Sequence, residues 1–189
     1  MYAILRNNHF RPTSKQKLMF ELTENDIKQI YKLPYKTIKN CKFQWLQYRT
    51  NHFRLTTNTF LYKIKIKQDP LCSFCKKENK NMIYLWECEN VQILLEALYN
   101  WTLKNGNFTL NYNKKTFTLG YHKEKNLLIS NTILLAMAYY IYTYRCLSKN
   151  LALTALIYIL QELYSTERIM AIKQENLEVF NNSWYFITK

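Results

Sequence analysis

The sequence predicts a mainly α-helical protein: a helical domain with a small β-hairpin and a short cysteine-rich, knuckle-like insertion. Three observations carry this expectation. Apolar residues recur at steps of three and four over most of the 189-residue chain. Only two glycines and three prolines are present, too few for folds that need glycine at fixed places. Three of the five cysteines fall in one polar stretch, residues 69–90, where the helical period lapses.

Residues 1–22 show no sustained period and are broken by Pro12, so they read as an N-terminal arm. A basic helical segment follows over residues 23–68. Thr23 before Glu24, Asn25 and Asp26 has the form of an N-cap with an acidic first turn, and Ile27, Ile30 and Tyr31 keep helical spacing until Pro34, where the helix is expected to stop. From Tyr35, the residues Ile38, Cys41, Trp45, Tyr48 and His52 form one stripe, which places Cys41 and His52 in the packing rather than among ligands. Thr56, Thr57 and Asn58 open another helix that runs to Asp69 and Pro70.

Residues 69–90 form the knuckle-like segment, and residues 91–189 a helical C-terminal scaffold. Within the scaffold, an apolar helix over Val91–Leu103 ends at Asn105-Gly106-Asn107. The alternating runs Phe108, Leu110, Tyr112 and Phe117, Leu119, Tyr121, joined by Asn113-Lys114-Lys115, predict a hairpin near 108–121. Residues 127–147 and 151–170 read as two long apolar helices, with Cys146 in the core, and a last helix starts near Ile172 and closes at Trp184.

Charge narrows the function. The chain carries 27 Lys and Arg against 13 Asp and Glu, a net charge of +14. Its abundance of Asn, Lys, Ile, Tyr and Phe matches A/T-rich codons, so the position of the charge tells more than its sum. Ten basic residues lie between Lys28 and Lys67, and after Asp26 no acid occurs until Asp69. Tyr31, Tyr35, Phe43, Trp45, Tyr48, Phe53, Phe60 and Tyr62 are interleaved with them. Cations that neutralise phosphates and rings that stack on unpaired bases make nucleic acid the expected partner, with a solvated basic face as the bland alternative.

Catalysis finds no support. Gly106 and Gly120 alone cannot build a phosphate-binding glycine loop. His9, His52 and His122 stand in no nucleophile motif, and Asp26 and Asp69 are the sole aspartates, so paired carboxylates for metal-dependent phosphoryl transfer are missing.

Cys72-x2-Cys75 is a turn in which two thiolates reach one ion, and Cys88 is close enough in sequence to be a third ligand. Three small buried residues are the competing explanation, but a polar stretch of this size gains its fold most readily from a metal staple. The segment MYAILRNNHFRPTSK lacks a signal-peptide pattern, and an odd cysteine count fits reduced thiols, so a cytoplasmic or nuclear location is expected.

The stretch LPYKTIKNCKFQWLQYRTNHFRLTTNTFLYKIKIKQDPLCSFC, continued by IYLWEC, FTLG, LLAMAYYIYTYRC, LSKNLALTAL, TERIMAI and NNSW, resembles the C-terminal, post-thumb, zinc-binding region of LINE-type non-LTR retrotransposon reverse transcriptases. The likeness covers about residues 26–185. It implies a Zn2+ site with Cys72, Cys75 and Cys88 as ligands and Tyr84 at the place of the family's histidine, the fourth ligand being left to His52 or water. It implies phosphate contacts from Lys36, Lys39, Lys42, Arg49, Arg54, Lys63, Lys65 and Lys67 to template RNA or target DNA. The family's palm, with its paired aspartates, is absent.

The resulting expectation is a non-catalytic nucleic-acid-binding fragment, partnered by RNA or DNA and by the rest of a reverse transcriptase, with no membrane and no small-molecule substrate. The alternatives are a decayed relic that retains only a fold, or a membrane-associated protein using the helices from Leu127 onward.

Overall fold

The computed structural model describes residues 20–52, 54–77, 84–106, 108–121, 128–147, 149–184 and 187, without the side chains of residues 84, 85, 182 and 183. The expected helical class holds. The helices are α1 (Glu24–Thr37), α2 (Cys41–Asn51), α3 (Asn58–Lys63), α4 (Tyr84–Glu87), α5 (Glu89–Gly106), α6 (Lys114–Leu119), α7 (Leu128–Cys146), α8 (Leu153–Lys173) and α9 (Leu177–Trp184).

Helix α7 is the hub, packing against α1, α2, α6, α8 and α9. Its burial reaches around the helix, with Ile133, Leu134, Leu135, Ala136, Met137, Tyr140 and Ile141 all enclosed, as a helix apolar on every side requires. Leu94, Leu95 and Leu98 of α5 and Leu156, Leu160 and Leu163 of α8 complete one core. Cys72 and Cys88 belong to that same core. A smaller cluster of Leu22, Ile27, Ile30 and Leu119, with Phe20 and Tyr31 against it, joins the end of the N-terminal arm to α1 and α6. The hydroxyl of Tyr140 accepts from the Ala152 N–H (2.8 Å) and donates to the Ala152 carbonyl (3.1 Å), fixing the turn between α7 and α8.

The predicted cap of α1 is present: Thr23 Oγ1 accepts from Asp26 N–H and the Asp26 carboxylate from Thr23 N–H, each at 3.1 Å. The predicted stop at Pro34 is not. Helix α1 continues to Thr37 with Pro34 inside it and buried. Proline leaves the carbonyl four residues back, Ile30, without its helical donor. Asn51 Nδ2 takes that place at 3.4 Å, so a tertiary contact offsets the local defect.

The 108–121 hairpin is replaced by helix. Apart from an isolated bridge at Leu71, the described residues form no β-structure. Asn113, read as a turn residue, is the N-cap of α6: its side chain accepts from Thr116 N–H (2.9 Å), and Thr116 Oγ1 accepts from Asn113 N–H (2.8 Å). Gly120 ends α6 at φ 76°, and the alternation of Leu119 and Tyr121 reflects burial on either side of this reversal, not a pleat.

The stripe drawn through Cys41 and Trp45 is also corrected. Ile38, Lys39 and Asn40 separate α1 from α2, so the apparent period crosses a break and loses phase. The buried face of α2 is Phe43, Leu46, Gln47 and Asn51, while Cys41 is exposed and Trp45 is 48% exposed. Cys146, expected in the core, is exposed too. Its neighbour Arg145 turns inward instead, with 2% of its surface exposed.

Candidate metal centre and basic surface

The chain folds Cys72 into a tight turn. Cys72 N–H donates to the Lys77 carbonyl (2.8 Å) and Lys76 N–H to the Cys72 carbonyl (3.1 Å), with Lys76 in the left-handed region at φ 57°. Cys88 immediately precedes α5, and its carbonyl accepts from the Val91 and Gln92 N–H groups of the first turn at 2.9 and 3.0 Å. Across residues 78–83, an exposed ion pair of Lys77 and Glu89 ties the two halves.

Cys72, Cys75 and Cys88 offer sulfur atoms that all lie within 4.8 Å of one another. Cys72 and Cys88 are buried, Cys75 is half-buried, and none forms a disulfide. The Cys72 and Cys88 sulfurs are 3.8 Å apart. A tetrahedron of zinc–sulfur bonds of about 2.3 Å has edges of about 3.8 Å, so the donors fit zinc in kind and in spacing.

The thiols also differ in acidity. Hydrogen bonding from Cys88 holds the Cys72 thiol down at about 5; its burial opposes this, and the Cys75 and Phe74 amides assist. The same bond to the Cys72 sulfur, with burial, pushes the Cys88 proton far up. The arrangement therefore favours a thiolate at Cys72, and a cation held by the three sulfurs would have to displace the Cys88 proton.

Among the described residues no fourth Cys, His, Asp or Glu joins the group. Tyr84 opens α4, but its side chain is outside the described set. His52 is placed elsewhere, its ring against Tyr48 (4.4 Å) and Tyr31 (5.1 Å). Burial, with the Arg54 charge assisting, lowers the His52 pKa and favours the neutral ring.

The basic residues are distributed over three elements. Lys36 is exposed on the last turn of α1 and Lys42 on the first turn of α2. Lys39, also exposed, faces an anion: its amide and its charge act on the Glu167 carboxyl, whose pKa burial raises, a rise opposed by bonding from Trp184 and Lys39. Arg49 lies 4.6 Å over the half-exposed Trp45 ring and donates through Nε to the Arg54 carbonyl (3.0 Å). Arg54 is exposed.

Lys63 and Lys65 are exposed at the end of α3, and Lys67 Nζ donates to Ser73 Oγ (3.3 Å). Phe60, Tyr62, Ile64 and Ile66 are 51%, 48%, 46% and 69% exposed.

Two residues whose positioning role sequence reasoning missed hold these groups in place. Asn58, buried at the start of α3, donates through Nδ2 to the Leu71 carbonyl and to Ser73 Oγ (3.1 Å), bolting α3 to the Cys72 turn. Arg145 donates to the Thr56 carbonyl just before α3. An asparagine at a helix start signals capping, and nothing local marks its reach to a loop thirteen residues on.

No family model, curated protein or solved structure matches the chain. Among the described residues no helix is long and apolar enough to cross a membrane.

Proposed function

We propose that the chain is a non-catalytic nucleic-acid-binding module stapled by a zinc ion on Cys72, Cys75 and Cys88, corresponding to the C-terminal, post-thumb region of a LINE-type reverse transcriptase. The observation that carries the reading is the bonding of Asn58 and Lys67 to Ser73, which makes the lysine-rich end of α3 and the metal turn one unit. The last stretch of the acid-free run, residues 58–67, is thereby held against the cysteine turn, with Phe60 and Tyr62 half-exposed beside Lys63 and Lys65. Lysines neutralise phosphates with release of counterions, and exposed rings accept unpaired bases without reading sequence.

The experiment is elemental analysis of the purified chain joined to oligonucleotide titration across salt concentrations. The expected result is near-stoichiometric zinc, lost in Cys72→Ser/Cys75→Ser, and an affinity for single strands that falls linearly with log salt at about −0.7 per phosphate contact. Replacing Lys63, Lys65 and Lys67 by Gln shallows that slope by about 2. An affinity indifferent to salt overturns the reading. A folded, metal-free chain that binds no oligonucleotide is a relic.

A further inference from the structure

Phe60, Tyr62, Ile64 and Ile66 are exposed within seven residues, a density of apolar surface that ordinary solvated faces avoid. Rings alone would serve stacking, but Ile64 and Ile66 are aliphatic, and Ile66, at 69%, is the most exposed large apolar side chain among the described residues. The backbone holds them there. Ile64 N–H donates to Phe60 O (3.1 Å), Lys65 N–H to Tyr62 O (2.9 Å), and Ile66 and Lys67 N–H both to Leu61 O (2.9 and 3.3 Å). Lys65 sits at φ 60°, a conformation with a steric cost for a lysine, so this closure is a defined turn and not a frayed end.

The surrounding charge selects the occupant. Lys63, Lys65 and Lys67 alternate with the apolar residues, and no acid lies between Asp26 and Asp69. An apolar surface ringed by cations matches a polyanion that carries flat apolar faces along its axis.

We propose that the turn over residues 60–67 is an unstacking wedge: Ile64 and Ile66 insert at a junction between single-stranded and double-stranded nucleic acid while the lysines hold the flanking phosphates. Aliphatic side chains used in this way separate neighbouring bases, and the terminal pair of a duplex is the least costly place to do so. The inference rests on the nucleic-acid reading and adds to it a preference for a structural feature.

The test uses the full chain and a DNA duplex with a single-stranded overhang, with 2-aminopurine at the last base pair. Binding is expected to raise the fluorescence about threefold as the base loses its stacking neighbours, with no such rise when the probe lies in the middle of the duplex. Ile64→Ser/Ile66→Ser, whose replaced side chains are exposed, is expected to keep its helical circular dichroism and its affinity for a plain single strand within about twofold, yet lose the rise. Junction binding without a rise, or a rise that survives in the double variant, overturns the wedge and leaves nucleic-acid binding standing. Failure to bind any oligonucleotide overturns both. Binding to phosphatidylserine-containing vesicles that depends on Ile64 and Ile66, with no fluorescence rise on DNA, overturns the wedge in favour of a lipid surface.

Discussion

Cys72 links acidity to stability through a single sulfur. Its thiol titrates at 9.0 in the unfolded reference and at about 5 in the fold. Above pH 9 both states hold the thiolate, and the stabilisation is complete. As pH falls, the unfolded chain takes up its proton first, so the gain shrinks and is gone below about 5. Cys88 is shifted upward, and its contribution is full below 9.0 and lost as pH rises beyond that. Chelator-treated protein should therefore gain thermal stability from about pH 5.5 to about pH 8.5 and lose it above, whereas Cys72→Ser flattens the rise. Melting curves across that range check this. Arg145 is the other telling residue, because its guanidinium donates to the Thr56 carbonyl and, at 3.9 Å, to the Cys146 sulfur, while its Nε has no hydrogen-bond partner. Arg145→Ala should destabilise by about 2–3 kcal/mol through the stranded carbonyl and the lost packing, read as a shift in urea midpoint.

At the scale of elements, α6 shows how a helix and a hairpin share a pattern. Asn113, Lys114 and Lys115 suit either, since asparagine both opens turns and caps helices. Two contacts decide it. Gln47 Nε2 donates to the Thr118 carbonyl (2.9 Å), tying α6 to α2. Asn131 of α7 brackets the reversal after Gly120, accepting from Tyr121 N–H at 2.7 Å and donating to the Tyr121 carbonyl at 3.3 Å. A Cβ on Gly120 would lie 2.4 Å from Leu33 Cδ2 and 2.8 Å from Asn131 Oδ1, at a φ of +76° that L residues rarely adopt. Gly120→Ala should thus cost more than the approximately 1 kcal/mol of the positive φ alone, measurable by denaturant titration. Asn113→Ala, which removes only the cap, should cost about 1 kcal/mol.

For the whole molecule, Cys72 and Cys88 lie in the same core as α5, α7 and α8, while Ser73 between the cysteines is bonded to Asn58 and Lys67. Metal removal should accordingly loosen the presentation of the basic surface without melting the helical core. Chelation is expected to weaken oligonucleotide affinity while most of the helical circular dichroism is kept; simultaneous loss of both would place the metal beneath the whole fold.

Much of this was legible in the residues. Thr23 with Asp26 announced α1, the apolar runs announced α5, α7 and α8, and the cysteine spacing announced the cluster, because capping, periodicity and ligand reach are local properties. Three things depended on packing. Pro34 was carried inside a helix because Asn51 arrived from α2 to satisfy Ile30. Cys41 and Cys146 lay outside, and Arg145 inside, because the phase of a helix against its neighbours is set by contacts remote in sequence. The joining of the lysine turn to the cysteine turn came from Asn58, whose side chain spans elements that no short-range pattern relates.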